Sequence, residues 1–319
     1  MYELIRVAGE TYYIQSPAKI GLVRLNEREV CLIDSGNDRD AGRKIRQLLD
    51  ANGWKLTAIY HTHSNADHIG GSRYLQGQTG CRVYAPDIEC AFVRHPILEP
   101  SFLYGGYPCN DLRHKFLLAQ ESDAAYLTAD DLPAGFEMFD LPGHFFSMVG
   151  FRTPDDVVFL ADCLSSRETL DKYGIGFIYD VGAYVQTLER VMGMQARSFV
   201  PSHAEATADI AGLAQYNIDK VRQIADRIVA ICDEPRCFEH ILQRLFVAYD
   251  LRMSCACRQH RSILSRLAEG RGAADGRVRG QSPALAQGLT SRSAAAARLR
   301  PWWQRAAAGS AACGVRRAA

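Results

Sequence analysis

Two imidazoles and a carboxylate fall within six residues in the run Thr62-His63-Ser64-Asn65-Ala66-Asp67-His68. Imidazole nitrogen and carboxylate oxygen are zinc ligands, and a site with three protein ligands leaves a position open for water. The run follows an apolar stretch, residues 56–60, that reads as a buried strand, and it precedes Ile69-Gly70-Gly71, which reads as a tight turn. Side chains at a strand end and in the loop after it can converge on one point. The pattern therefore points to metal-assisted hydrolysis.

Such a cluster needs a framework to hold it. Residues 4–7, 11–15, 20–25 and 30–34 read as short strands with turn signals between them. Residues 40–52 have helical spacing, with Ala41, Ile45, Leu48 and Leu49 on one stripe and Gly53 as C-cap. A helix over 68–78 should open above the metal loop, followed by a strand at 81–85 and a helix with Pro86 at its first position. Strands are expected again at 136–141, 148–152 and 157–160, then a helix at 180–194 and a last strand at 198–200. Strands followed by helices, twice over, suit two packed sheets with helices outside. Residues 96–122 fit no periodic element. They contain the aromatic, turn-rich Tyr104-Gly105-Gly106-Tyr107-Pro108, a candidate lid over the site or a surface insertion.

Five segments in order resemble the metallo-β-lactamase superfamily. Leu32-Ile33-Asp34-Ser35-Gly36 is similar to its early strand and turn. In its His-x-His-x-Asp-His signature, His63 takes the first place, Asp67 the carboxylate place and His68 the last, while Asn65 stands where the family has its second His. Leu141-Pro142-Gly143-His144 resembles the segment of the third histidine, Phe159-Leu160-Ala161-Asp162 the strand of the bridging Asp, and Val200-Pro201-Ser202-His203 the segment of the last histidine. The resemblance covers roughly residues 1–215 and implies an α+β fold, the four-layer αβ/βα metallo-β-lactamase sandwich, with metals where strand ends meet. It implies that His63 and His144 hold one metal, that Asp67, His68 and His203 hold another, and that Asp162 bridges them. Asn65 is a weak ligand on this reading, because a neutral amide oxygen binds zinc poorly beside imidazole. The implied cofactor is zinc, one ion held tightly and a second more weakly, with iron or manganese as substitutes. A bound divalent cation lowers the pKa of water from 15.7 towards ~7. Asp67 is then the catalytic residue expected to orient the attacking water as well as bind metal. No Ser-His-Asp or GxSxG pattern offers a side-chain nucleophile.

His61, two residues before His63, is expected to be a buried, hydrogen-bonded histidine rather than a ligand, since the ligands come from the loop. Asp34 is expected to support a ligand loop by hydrogen bonding, and Ser35 and Ser147 to form turns. The leading functional reading is a zinc-dependent hydrolase of a small-molecule ester, thioester or related bond. One alternative is a mononuclear iron oxidoreductase resembling persulfide dioxygenases, with His63, His144 and Asp162 as ligands. The other is a binding protein that keeps the fold without catalysis.

The chain of 319 residues, 47% hydrophobic, can bury a sizeable core. Helices are expected at 217–231 and 238–248, giving a partial, winged-helix-like module over 216–252 after a catalytic part over 1–215. Residues 253–319 are rich in Arg and Ala and read as disordered, or as the frameshifted translation of a GC-rich gene. A basic tail that binds nucleic acid or membrane is the competing reading. Residues 252–319 carry 13 Arg, no Lys and two acids, a net +11; with +1 for the whole chain, the rest carries −10. That acidic body argues against nucleic acid as a partner and leaves a small-molecule substrate. No apolar run approaches the ~20 residues of a membrane helix. The N-terminus has no basic region followed by an apolar core, so the expected location is the cytoplasm. True β-lactamase action is correspondingly less expected. Cys31, Cys81, Cys90, Cys109 and Cys163 sit in or near apolar runs and are expected to be reduced core residues.

Overall fold

The computed structural model describes residues 2–174, 176–235 and 237–248, and its strands form two sheets. The first contains β1 (Glu3–Ala8), β2 (Thr11–Gln15), β3 (Ile20–Arg24), β4 (Glu29–Ile33), β5 (Lys55–Tyr60), β6 (Arg82–Ala85) and β7 (Ala124–Tyr126), side by side in that order. β1 to β4 pair antiparallel; β4 to β7 pair parallel. The parallel connections carry α1 (Arg39–Ala51), α2 (Ala66–Ile69), α3 (Ser72–Thr79), α4 (Asp87–Arg94) and α5 (Leu98–Tyr104). The second sheet contains β8 (Glu137–Asp140), β9 (Val149–Arg152), β10 (Val157–Ser165) and β11 (Ser198–His203), in the order β11-β10-β9-β8. With it go α6 (Arg167–Tyr173), α7 (Val181–Met192), α8 (Ala211–Ile231) and α9 (Phe238–Ala248).

Period-two alternation sets the layers. In β4, Val30 and Leu32 join Ile45, Leu49, Leu75 and Val93 of the helices on one face, while Cys31 and Ile33 face the second sheet. In β10, Val157 and Phe159 meet Cys31 and Ile33 in that inter-sheet core, while Val158 and Leu160 pack with Leu188, Val191, Ala214 and Ile218 of α7 and α8. The sequence of layers is helix, sheet, sheet, helix, the expected αβ/βα sandwich.

Several boundaries differ from the sequence reading. The helix expected over 68–78 is two helices. At Gly70 a Cβ would stand 2.0 Å from the Asn37 carbonyl oxygen, so only glycine lets the chain cross there, and the helix breaks at that close approach. Pro86 is the N-cap of α4 rather than its first residue. Strand β10 does not stop at 160. It continues through Asp162 to Ser165 with its register to β11 shifted on either side of Ala161, whose φ of 50° is unusual for an alanine. The 96–122 segment is not wholly irregular, since α5 and a 3-10 turn (Asn110–Leu112) lie in it. Helix α8 begins at Ala211, so the expected boundary at 215 falls inside it, and Ala214, Ile218 and Val221 share a core with α7. Cys31, Cys81, Cys90 and Cys163 are buried and free, as expected; Cys109 is free but only partly buried. The remainder of the expected winged-helix-like module, and the 253–319 segment expected to be a disordered or frameshifted tail, lie outside the described residues. Among the described residues no helix is long and apolar enough to cross a membrane.

Candidate metal centre

The strand ends of both sheets meet at one edge. There the Val149 N–H donates to the Thr62 carbonyl (2.9 Å) and the Lys19 N–H to the Ser202 carbonyl (3.0 Å), tying one sheet to the other. Six residues marked by the sequence come together at this edge in two groups. The ligand atoms of His63, His144 and Asp162 lie within 4.8 Å of one another, as do those of Asp67, His68 and His203. Asp162 sits between the groups. Its Oδ2 is 4.0 Å from His63 Nε2, 3.7 Å from His144 Nε2 and 3.2 Å from His203 Nε2, and its Oδ1 is 3.1 Å from His68 Nε2. Asp67 Oδ2 is 3.3 Å from His203 Nε2 and 3.8 Å from His68 Nε2. The strained backbone at Ala161 and the slipped pairing beside it deliver Asp162 to this position.

Each of the four histidines is held in the same way from outside. Nδ1 of His63 meets the Thr62 hydroxyl oxygen at 2.9 Å, and that hydroxyl donates to Asp34 Oδ2 at 2.8 Å. Nδ1 of His68 donates to Asp34 Oδ2 at 2.8 Å, that of His144 to the Phe177 carbonyl at 3.0 Å, and that of His203 to the Pro17 carbonyl at 3.0 Å. An acceptor on Nδ1 keeps a proton there, so every Nε2 points inward, as the nitrogen left to bind a cation. Gly143 makes the turn into His144 at φ 124°, against the Tyr184 backbone where a Cβ would stand 2.3 Å away.

The centre as it stands is incomplete in its hydrogen bonding. His63 Nε2, His68 Nε2 and Asp162 Oδ1 are buried and have no hydrogen-bond partner; the 3.1 Å approach of the last two lacks hydrogen-bond geometry. Convergent imidazole nitrogens and carboxylates are what a divalent cation satisfies, displacing the protons that His68 and His203 hold beside the carboxylates, and this donor set fits one. Electrostatics separate the two groups. Burial, then the neighbouring His68, pushes His63 down to about 3, and burial lowers His144 as well, so both offer neutral imidazoles. Asp162 raises His203 to about 10. Burial disfavours charge on His68, but Asp162, Asp67 and Asp34 outweigh it and hold that ring well above its ordinary value.

In the metal-free protein the His203 shift has a consequence for stability. A histidine whose folded value lies above its unfolded value of 6.5 stabilises the fold fully below that value and loses the contribution as pH rises through about 10. Chelator-treated protein should therefore lose stability between pH 7 and 10 in denaturant titrations. Loading with zinc should flatten that fall, because a cation displaces the proton. A flat profile for the metal-free protein would contradict the pairing of His203 with Asp162.

The supporting residues follow expectation in part. Asp34, at a left-handed φ of 64°, accepts from the Thr62 N–H (2.9 Å) as well as from Thr62 and His68 side chains. His61 is buried outside both groups, with Nε2 2.7 Å from Ser72 Oγ and Nδ1 3.3 Å from Asp34 Oδ1. Ser35 is more than a turn former, since its N–H (2.7 Å) and hydroxyl (2.9 Å) both donate to the His68 carbonyl. Ser147 likewise joins a buried link. Its N–H donates to Glu89 Oε1 at 2.8 Å, and Glu89 Oε2 accepts from the Ser64 N–H at 3.1 Å and from its hydroxyl. Burial raises Glu89 to about 7.

Two contributors were not visible in the sequence. One is Glu89. The other is Glu99 of α5, 4% exposed, whose Oε1 accepts from Asn65 Nδ2 at 2.8 Å. The Asn65 Oδ1 lies 3.0 Å from His144 Nε2. The rings packed on His144 are Phe145 and Phe177, while the exposed Tyr107 of the expected aromatic lid accepts from Arg113. Asp67 and His203 are the more exposed members of the centre, with side chains 32% and 29% exposed. His203 also lines a cleft of about 530 Å³ shared with Lys19, Arg167 and Ser202.

Residues 15–203 match the family model of the metallo-beta-lactamase superfamily. The chain is 27% identical over 194 residues to hydroxyacylglutathione hydrolase of Methylococcus capsulatus, covering 59% of this chain and 64% of that protein. It is 30% identical over 148 residues to hydroxyacylglutathione hydrolase of Rhodopseudomonas palustris, covering 46% and 47%. The chain thus spans less than two thirds of the length of these relatives. Among solved structures it is similar to a metallo-beta-lactamase from Pontibacter korlensis, with a TM-score of 0.54 and 15% identity over 69% of this chain and 98% of the other. VMB-1 gives a TM-score of 0.52 and 15% identity over 70% and 97%. At such identity these structures show a shared fold.

Proposed function

The chain belongs to the metallo-beta-lactamase superfamily, and from that we propose that it is a metal-dependent hydrolase of a small-molecule thioester or ester. The observation that carries the reading is the shared inward aim of four Nε2 atoms, each Nδ1 being tied to an outer acceptor, around Asp162. His63, His144 and Asp162 would hold one cation, and Asp67, His68 and His203 another, with Asp162 common to both. A divalent cation supplies two things when bound: it makes water acidic enough to attack at neutral pH and it polarises the oxygen under attack. The chain's own residues do the rest. Asp67, the most exposed carboxylate of the set, is placed to accept a hydrogen bond from the attacking water and hold its direction. Burial of His63 and His68 keeps bulk water from the inner side, so a substrate reaches the centre from the side of Asp67 and His203. The thioester preference draws support from relatives named hydroxyacylglutathione hydrolase. The acidic charge of residues 1–251 agrees with a small substrate rather than a nucleic acid.

The test is hydrolysis of acylglutathione and simple acyl esters by purified full-length protein, before and after chelation and after return of zinc, iron or manganese, with metal analysis alongside. Hydrolysis lost on chelation and restored by zinc is expected. One iron per chain with oxygen uptake and no hydrolysis would overturn the proposal in favour of oxidoreductase chemistry.

A further inference from the structure

The amide at the second-histidine position is not loose in the site. Asn65 is fixed at both ends of its carboxamide: Nδ2 donates to the buried carboxylate of Glu99 (2.8 Å), and Oδ1 faces His144 Nε2 (3.0 Å). Burial raises Glu99 to about 8, and it is the Oε1 facing Asn65 that accepts from Nδ2, which turns the amide oxygen towards the His63, His144 and Asp162 group. That leaves two lone pairs opposed. His144 donates from Nδ1 to Phe177, so its Nε2 carries a lone pair, and the Asn65 oxygen facing it has no proton to give. Opposed lone pairs beside a carboxylate are repulsive alone and become compatible around a cation. A carboxyl oxygen accepting from the amide nitrogen also polarises the amide and makes its oxygen a better donor atom.

We propose that Asn65, oriented by Glu99, gives an oxygen donor to the cation of the His63, His144 and Asp162 group, in place of the absent imidazole. Glu99 is a positioning residue, and it acts from helix α5, outside the centre. The resulting donor set of two imidazoles, a carboxylate and an amide oxygen is harder than a set of three imidazoles and favours correspondingly harder cations. This inference rests on the metal-centre reading above. It makes a prediction of definite sign. Were the amide turned the other way, Nδ2 would donate to His144 Nε2 and block it, and removing Asn65 would then tighten metal binding.

Cobalt(II) titration of full-length protein, followed by the visible d–d absorption, separates these cases. A His63→Ala variant marks which absorption belongs to this group, and circular dichroism reports folding. Asn65→Ala and Glu99→Ala are each expected to weaken this cobalt by about tenfold or more and to change its spectrum, leaving the other ion in place. The double variant should be no weaker than either single one. Glu99→Gln keeps an oxygen that can accept from Asn65 Nδ2, and should restore most of the affinity, to within about threefold of the parent. Should Glu99→Ala fail to fold, Asn65→Ala with Glu99→Gln decides the matter alone. Unchanged or tighter cobalt binding in Asn65→Ala, or a Glu99→Gln protein as weak as Asn65→Ala, overturns the proposal while leaving the metal centre intact. A parent protein that takes up no cobalt overturns the metal-centre reading and this inference with it.

Discussion

Replacing Asp162 by Asn is expected to weaken binding of both cations by more than about a hundredfold and to abolish metal-dependent hydrolysis. Asp162 reaches both groups, standing within 4.0 Å of the Nε2 atoms of His63, His68, His144 and His203. The substitution keeps the volume and removes the charge. In the metal-free protein it has a second effect. Asp162 is the main cause of the raised His203 value, so the stability loss between pH 7 and 10 should shrink in the Asn variant. Isothermal titration with zinc reads the first effect and denaturant titration across pH reads the second. Two cations bound with parental affinity would remove Asp162 from the centre.

Asp34→Ala is expected to cost about 3–5 kcal/mol of stability, because it takes the buried partner from several donors at once. The Thr62 N–H, the Thr62 hydroxyl and His68 Nδ1 all lose their acceptor, and His61 loses a charged neighbour. The His68 and His63 rings would then be free to turn, since the Thr62 hydroxyl also supports His63. Metal affinity should fall by about 10–100-fold, the usual consequence of losing an outer partner. Asp34→Asn separates these effects: it tolerates the left-handed backbone and keeps one accepting oxygen, so it should retain more stability than affinity. Urea unfolding with and without zinc checks both. An Ala variant within about 1 kcal/mol of the parent would show that the Asp34 network contributes little.

The parts of the site that were legible in the sequence are those whose signal is local. His63, Asp67 and His68 stand together after an apolar strand, and Asp34, His144, Asp162 and His203 each end or follow an apolar run of the sequence. Strand ends at one edge of a sandwich converge; the local pattern marked His63, Asp67 and His68, and the resemblance to the superfamily added His144, Asp162 and His203, which the fold brings to the same edge. The layers were legible for the same reason, because alternation in β4 and β10 separates two cores.

What stayed hidden depends on contacts between distant residues. Glu99 meets Asn65 across 34 positions, from a segment without periodicity, and Glu89 joins Ser64 to Ser147 across 25 and 58. Nothing in the neighbours of either glutamate distinguishes it from a solvated acid on a helix. The helix break at Gly70 comes from the Asn37 backbone crossing over it, a contact that helical spacing cannot announce. The extension of β10 past Leu160 depends on a strained Ala161 and a shifted register, which an apolar pattern reads as an end. In each case the feature that escaped the pattern contributes to placing a polar side chain at the centre or to bringing its loops together.

Anomalous diffraction from crystals of the zinc-loaded, full-length protein asks most directly whether these side chains gather round metal. Two peaks are predicted, one among His63, His144 and Asp162 and one among Asp67, His68 and His203, with Asp162 reaching both. Crystals grown with excess zinc that show no peak between His68 and Asp162, or zinc bound only elsewhere on the chain, would contradict the metal centre and the hydrolysis proposed for it.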